Sequence, residues 1–203
     1  MNIKRKLRDI DYLPKGLREY TENDLADMVE IFNETALTGI NSPVTGPVSI
    51  EELGFYLNYY KKDGLPVYVL ERAEKLLGWL SINRFSWGTK VCGNTGEVSI
   101  YVRKAFYGRG VGCRLAQACI PLARASGIET LVSWVMADNV DSQLITQAMG
   151  SELWCRLPKI ARFGDKRADV LLYGRDIAHI ASAKDEKVSL EPREYIKVLQ
   201  SGV

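Results

Sequence analysis

The chain has 203 residues, with 27 basic and 25 acidic side chains and a net charge of +2. That length can bury a real core and is most simply one domain, and so balanced a charge argues against a polyanionic partner such as nucleic acid. No apolar run approaches the ~20 residues of a membrane span, and the basic start MNIKRKLRDIDYLPKG lacks the apolar stretch of a secretory signal, so a cytoplasmic protein is expected. Cys92, Cys113, Cys119 and Cys155 form no CxxC pair and His179 is the single histidine. A zinc site or a histidine-dependent triad is therefore not expected, and the thiols read as reduced.

In chain order, residues 1–16 read as an extension. Leu17 to Tyr20 is a short strand. Thr21 with Asp24 forms a capping arrangement ahead of Leu25, Met28, Val29, Ile31 and Phe32, whose spacings of three and four predict an amphipathic helix to about Leu37. Two glycines and two prolines between Thr38 and Pro47 predict a loop. Ser49 caps a second helix with a buried stripe of Leu53, Tyr56, Leu57 and Tyr60, ended by Gly64. Strands follow at Val67–Glu71 and Leu76–Phe85 around a tight turn at 73–75, then a loop over 86–95.

The next stretch carries the most information. Glu97 to Val102 is β-branched or aromatic and alternating, as a strand would be; Glu97, Ser99 and Tyr101 share one face, and Val98, Ile100 and Val102 the other. It runs into Gly108-Arg109-Gly110-Val111-Gly112, where glycine permits positive φ and close approach of a ligand. Successive backbone N–H groups at the start of a helix then suit phosphate oxygens, and a diphosphate is the natural occupant. The helix buries Val111, Leu115, Ala118 or Cys119, and Leu122, carries Pro121 as an expected kink, and stops at Gly127. Thr130–Met136 is a further strand, Asp141–Met149 a short helix, residues 152–165 an irregular strand and Ala168–Arg175 the last. The order predicts an α+β fold around one mixed sheet. Beyond it, Pro192 followed by Tyr195, Ile196, Val198 and Leu199 suggests one short helix in a tail of 178–203.

Strand, glycine turn and helix, with Asn139-Val-Asp-Ser142 running to Gly150 and the strand at Ala168–Tyr173, together resemble the GNAT superfamily of acyl-CoA-dependent N-acetyltransferases. The likeness is greatest to its phosphinothricin and methionine sulfoximine acetyltransferase group and covers about Leu17 to Ile177. It implies a central, mostly antiparallel sheet splayed at the cofactor strand, acetyl-CoA as cofactor, direct transfer to a small-molecule amine, and a homodimer. Ile100, Tyr101 and Val102 would pair with the pantetheine arm through their main chain. Gly108, Arg109, Gly110, Val111, Gly112 and Cys113 would hold the pyrophosphate, with Tyr107 where the family has Gln or Arg. Asn139 and Ser142 match its N-x-x-S helix start, a pattern that ordinary capping also explains.

Glu97, about four strand residues from Tyr101, is expected at the sheet edge, and it matches the glutamate that opens the strand in this group, which implies a general base; a solvated strand-end glutamate is the plain alternative. Where relatives carry Tyr or His as an acid, this chain has Thr146, and Arg167 stands in place of a substrate-side tryptophan. Asn33, Glu34, Arg84 and Trp87, with the 39–42 loop and Phe85, border the expected acceptor side. An amino-acid acceptor needs a cation for its carboxylate, and Arg84 is a candidate. Acceptors of other kinds, a peptide N-terminus or an aminoglycoside, stay open, as does an acyl-CoA-binding sensor without turnover.

Overall fold

The computed structural model describes residues 13–36, 46–85 and 90–178. The expectations for the 1–12 part of the extension, the 39–42 loop, Trp87, His179 and the tail helix lie outside these residues.

Seven strands make one sheet: β1 (Leu17–Glu19), β2 (Val67–Arg72), β3 (Lys75–Arg84), β4 (Thr95–Val102), β5 (Thr130–Met136), β6 (Glu152–Phe163) and β7 (Lys166–Asp176), in the spatial order β1-β2-β3-β4-β5-β7-β6. Every neighbouring pair is antiparallel except β4 with β5. That one parallel pair needs a crossover, which helix α3 (Val111–Ala125) supplies.

Helices α1 (Leu25–Ala36) and α2 (Ile50–Lys62) cover one face of the sheet, where Met28, Ile31, Phe32, Leu53 and Leu57 pack on Val67, Val69 and Trp79. On the opposite face α3 buries Val111, Leu115, Ala118, Cys119 and Leu122 against Leu80, Ile82, Val98 and Ile100. It runs unbroken through Pro121. Helix α4 (Val140–Ala148) lies beside α3. Among the described residues these four helices flank the sheet as an α+β fold.

The buried stripe of α2 differs from the expected one. Leu53, Gly54 and Leu57 face the core while Tyr56 is 55% exposed. Gly54 stands on this buried side, where an added Cβ would meet Leu25 Cδ1 at 3.5 Å, an ordinary van der Waals distance. Ser49 makes the expected capping box with Glu52.

A buried cation pins α1 to the middle of the sheet. Arg103, just after β4, donates to the Leu76 carbonyl at 3.0 Å, to Glu30 at 2.7 Å and to Asp27 at 2.6 Å. The next backbone N–H, of Lys104, donates to Glu34 at 2.6 Å. Asp27, Glu30 and Glu34 share one face of α1 at helical spacing and grip the segment leading into the glycine turn.

Candidate active site

In a closed sheet the fourth of seven strands would be the most buried. Here β3 is buried from Leu76 to Ile82, whereas β4 beside it is half-buried along nearly all its length. The cause lies in the pairing. Against β3, β4 is in register from Gly96 to Val102; against β5 it pairs only over Thr95–Glu97 with Thr130–Val132. Past Glu97 the two parallel strands part, and the β5-facing N–H and C=O groups of residues 98–102 line a notch. Ile100, Tyr101 and Val102 all stand on this open stretch.

Glu97 sits at the apex of the notch, in register with Asn83 on one side and Val132 on the other. The expected place at the sheet edge is corrected: Glu97 is in the middle of the sheet, because β5 adds on the far side of β4. Its side chain leaves on the α1/α2 face. Burial pushes its carboxyl above the usual range, and the Trp134 indole N–H, donating to it, pulls partly the other way. Trp134 lies two residues beyond Val132, so strand alternation puts it on the same face as Glu97. Its ring stacks on Phe85 at 6.4 Å and 29°. The phenol of Tyr60 in α2 is raised by burial and then by the Glu97 charge. Tyr101 is packed 4.3 Å from Trp79 and 5.0 Å from Phe32, and its phenol is pushed up to about 12, chiefly by burial, so it meets the notch through its main chain.

At the wide end of the notch the chain turns at 107–110 into α3. Gly108 and Gly110 have φ of 69° and 74°, the left-handed region that favours glycine. Gly112 serves another purpose, since an added Cβ would stand 3.1 Å from Ile145 Cδ1, and its absence lets α3 meet α4. Gly110 caps α3 with no side-chain bond, and the first amide returning to the helix is Arg114, donating to the Gly110 carbonyl at 3.2 Å. The N–H groups of Val111, Gly112 and Cys113 therefore point out of the helix start. Arg109 is exposed beside them, its guanidinium 5.8 Å over the Phe106 ring. Burial raises the Cys113 thiol, which makes it a poor nucleophile.

Across the notch Asn139 caps α4, its Oδ1 accepting from the Ser142 N–H at 3.0 Å. Asn139 is 8% exposed, and among the described residues its Nδ2 finds no acceptor. A buried amide donor without a partner is uncommon, and here it borders the notch. Thr146 donates to the Ser142 carbonyl at 2.7 Å, which commits its hydroxyl to the helix.

The expected acceptor-side residues divide. The Asn33 side chain accepts from the Val48 N–H at 2.8 Å and donates to its carbonyl at 3.0 Å, holding the approach to α2. Glu34 holds Lys104, as described. Arg84 pairs with Gly96 in register, so its side chain leaves on the face opposite Glu97; it donates to the Gly93 carbonyl at 2.5 Å and pairs with Asp63 at 3.5 Å. The structure thus puts Glu97 and Trp134, with Phe85 stacked on it, on one face of the sheet, and Arg84 on the other. Trp134 and Tyr60 were legible only as strand and helix residues. A signal for Trp134 existed in the alternation of β5, which gives a large ring the parity of Glu97.

An acetyltransferase (GNAT) domain family matches residues 16–152. The Bacillus subtilis (strain 168) protein YwnH, which bears a phosphinothricin acetyltransferase name, is 30% identical over 163 residues, covering 80% of this chain and 99% of its own. The L-methionine sulfoximine/L-methionine sulfone acetyltransferase of Pseudomonas paraeruginosa is 27% identical, covering 73% of this chain and 87% of its own. Among solved structures, the ribosomal-protein-alanine N-acetyltransferase of Brucella melitensis superposes with a TM-score of 0.75 at 25% identity, covering 79% of this chain and 98% of its own.

Proposed function

Because this chain belongs to the GNAT acetyltransferase family, we propose that it is an N-acetyltransferase carrying an acetyl group from acetyl-CoA to the amine of a small molecule, with Glu97 as general base. The observation that carries this reading is the notch between β4 and β5 that closes at Glu97. Coenzyme A, when bound, supplies the acetyl group as a thioester. The amides of Gly108 to Cys113 would bind its pyrophosphate, with Arg109 adding a charge-assisted contact. The open main chain of Ile100, Tyr101 and Val102 would align the pantetheine arm, and the Asn139 Nδ2 would donate to it, with Ser142 held in place by the Asn139 Oδ1.

Glu97, at the apex, would take the proton from the acceptor nitrogen. A carboxyl raised by burial suits that role, because it is a stronger base than an exposed glutamate. Thr146 is committed to a backbone carbonyl and supplies no proton to the leaving sulfur. A thiol of ordinary pKa near ~8.5 leaves tolerably without one.

The relatives' names make phosphinothricin and L-methionine sulfoximine the first acceptors to assay, while the Brucella likeness puts a peptide amine beside them; a shared fold does not choose among them. The protein is further read as a cytoplasmic homodimer. In support, no helix among the described residues is long and apolar enough to cross a membrane, and the edge strand β6 exposes Leu153, Trp154 and Ile160. Thiol release from acetyl-CoA across a panel of amines tests the reading. Release that depends on amine and on Glu97 is expected; coenzyme A binding with no release from any amine would leave only a sensor.

A further inference from the structure

Between two buried residues, Arg103 and Val111, the chain is exposed except at Phe106 and Gly110, which are half-buried. This stretch contains the first of the amides proposed for the pyrophosphate. Its backbone refers back to its own start. The N–H of Phe106 donates to the Arg103 carbonyl at 2.8 Å, that of Tyr107 to the Lys104 carbonyl at 3.2 Å, and that of Arg109 to the Phe106 carbonyl at 3.3 Å. These bonds form a short ladder whose foot is residues 103 and 104, so displacing the foot displaces the glycine turn.

Helix α1 holds that foot. The Arg103 guanidinium, its side chain 9% exposed, is committed to the Leu76 carbonyl, Glu30 and Asp27, while its backbone N–H donates to the Leu77 carbonyl at 2.9 Å. Glu34, one turn further along α1, accepts from the Lys104 N–H. A buried cation is not needed for stability as such, because an apolar side chain of similar volume is often as stable in its place. What the planar fork adds is direction: it meets its three acceptors in one arrangement and so fixes one position for the strand end.

The signs of the charges separate two possible roles for this grip. Asp27, Glu30 and Glu34 set three carboxylates against the segment that leads into a site for a diphosphate. By charge alone Glu34 opposes that ligand, and its removal should tighten binding. By position it holds the turn, and its removal should weaken binding.

Resting on the reading of the 108–113 turn as the pyrophosphate site, we infer that Arg103 and Glu34 are positioning residues for coenzyme A, through which α1 fixes where the outward amides of the turn stand. Neither residue touches the ligand; both act through the ladder.

The test measures the calorimetric Kd for coenzyme A and the Tm of Glu34→Ala, Arg103→Met and Arg103→Lys, with Gly110→Asp beside them. Glu34→Ala is expected to raise Kd by about 5-fold and Arg103→Met by about 10-fold. Arg103→Lys keeps the charge without the fork and should fall between the wild type and Arg103→Met. Amide hydrogen exchange across residues 106–113 of the free protein should quicken in all three variants. An unchanged or lower Kd in Glu34→Ala would overturn the inference. So would a lowered Tm at unchanged Kd in Arg103→Met, which would make that residue structural only. Should Arg103→Met not fold, Glu34→Ala, which alters one half-buried side chain of α1, still decides. Loss of binding in Gly110→Asp with none in Glu34→Ala overturns the inference alone. Unchanged binding in Gly110→Asp overturns the turn as the pyrophosphate site, and this inference with it.

Discussion

The two halves of β4 differ in what they can offer a ligand. From Thr95 to Glu97 the strand is bonded on both sides, and from Val98 to Val102 on one side only. The closed half has no free main chain, so any chemistry there must come from a side chain, and the one it holds in place is Glu97. The open half presents backbone N–H and C=O groups, so it can bind an extended ligand whatever side chains it carries. The same strand thus separates reactivity from grip, and the point of separation is one residue wide.

The largest effect should come from removing the side chain of the closed half. Glu97→Gln is expected to lower kcat/KM by on the order of 10²–10⁴-fold while coenzyme A still binds. Stability should move the other way. The folded-state pKa of Glu97 is raised, so its stabilising contribution is present below the unfolded pKa and is lost as pH rises through the folded one. At neutral pH the charged carboxylate opposes folding, and Glu97→Gln should raise Tm near pH 7 more than near pH 4. A fall in Tm at pH 7, or full turnover, would break the assignment.

Next in size is the grip. Gly110→Asp places a side chain at φ of 74° and a charge beside the outward amides of α3, and should weaken coenzyme A binding by at least about 100-fold in calorimetry. Unchanged affinity would remove the turn from the site. A smaller change separates two roles of Asn139. Serine can replace its cap but not its Nδ2, so Asn139→Ser should keep Tm and raise the Kd for coenzyme A by up to about 10-fold. Loss of Tm with unchanged Kd would make Asn139 a cap alone.

The smallest effect concerns the pH profile. The Trp134 N–H holds the Glu97 carboxyl down against burial, so Trp134→Phe should shift the acidic limb of kcat/KM to higher pH; a shift to lower pH would place the hydrogen bond elsewhere.

Much of this was legible in the residues. The strand at Glu97–Val102, the glycine turn and the helix it opens, and the Asn139–Ser142 start of α4 are local patterns, set by alternation, by positive φ and by capping. Arg84 was not legible, because its role depends on which face of β3 it leaves by. That parity follows from its register opposite Gly96. Nor was Tyr56, whose exposure follows from the rotation of α2 that buries Leu53, Gly54 and Leu57.

By itself the sequence determined the elements, the family likeness and the glycine turn, since each rests on contacts within a few residues or on motifs that survive without neighbours. Only the tertiary structure decided that β5 parts from β4 at Glu97, that Trp134 stacks on Phe85 on the face by which Glu97 leaves, and that Arg84 leaves by the other. Those facts depend on strand pairing between segments more than 30 residues apart, where a shift of one residue would exchange every inward side chain for an outward one.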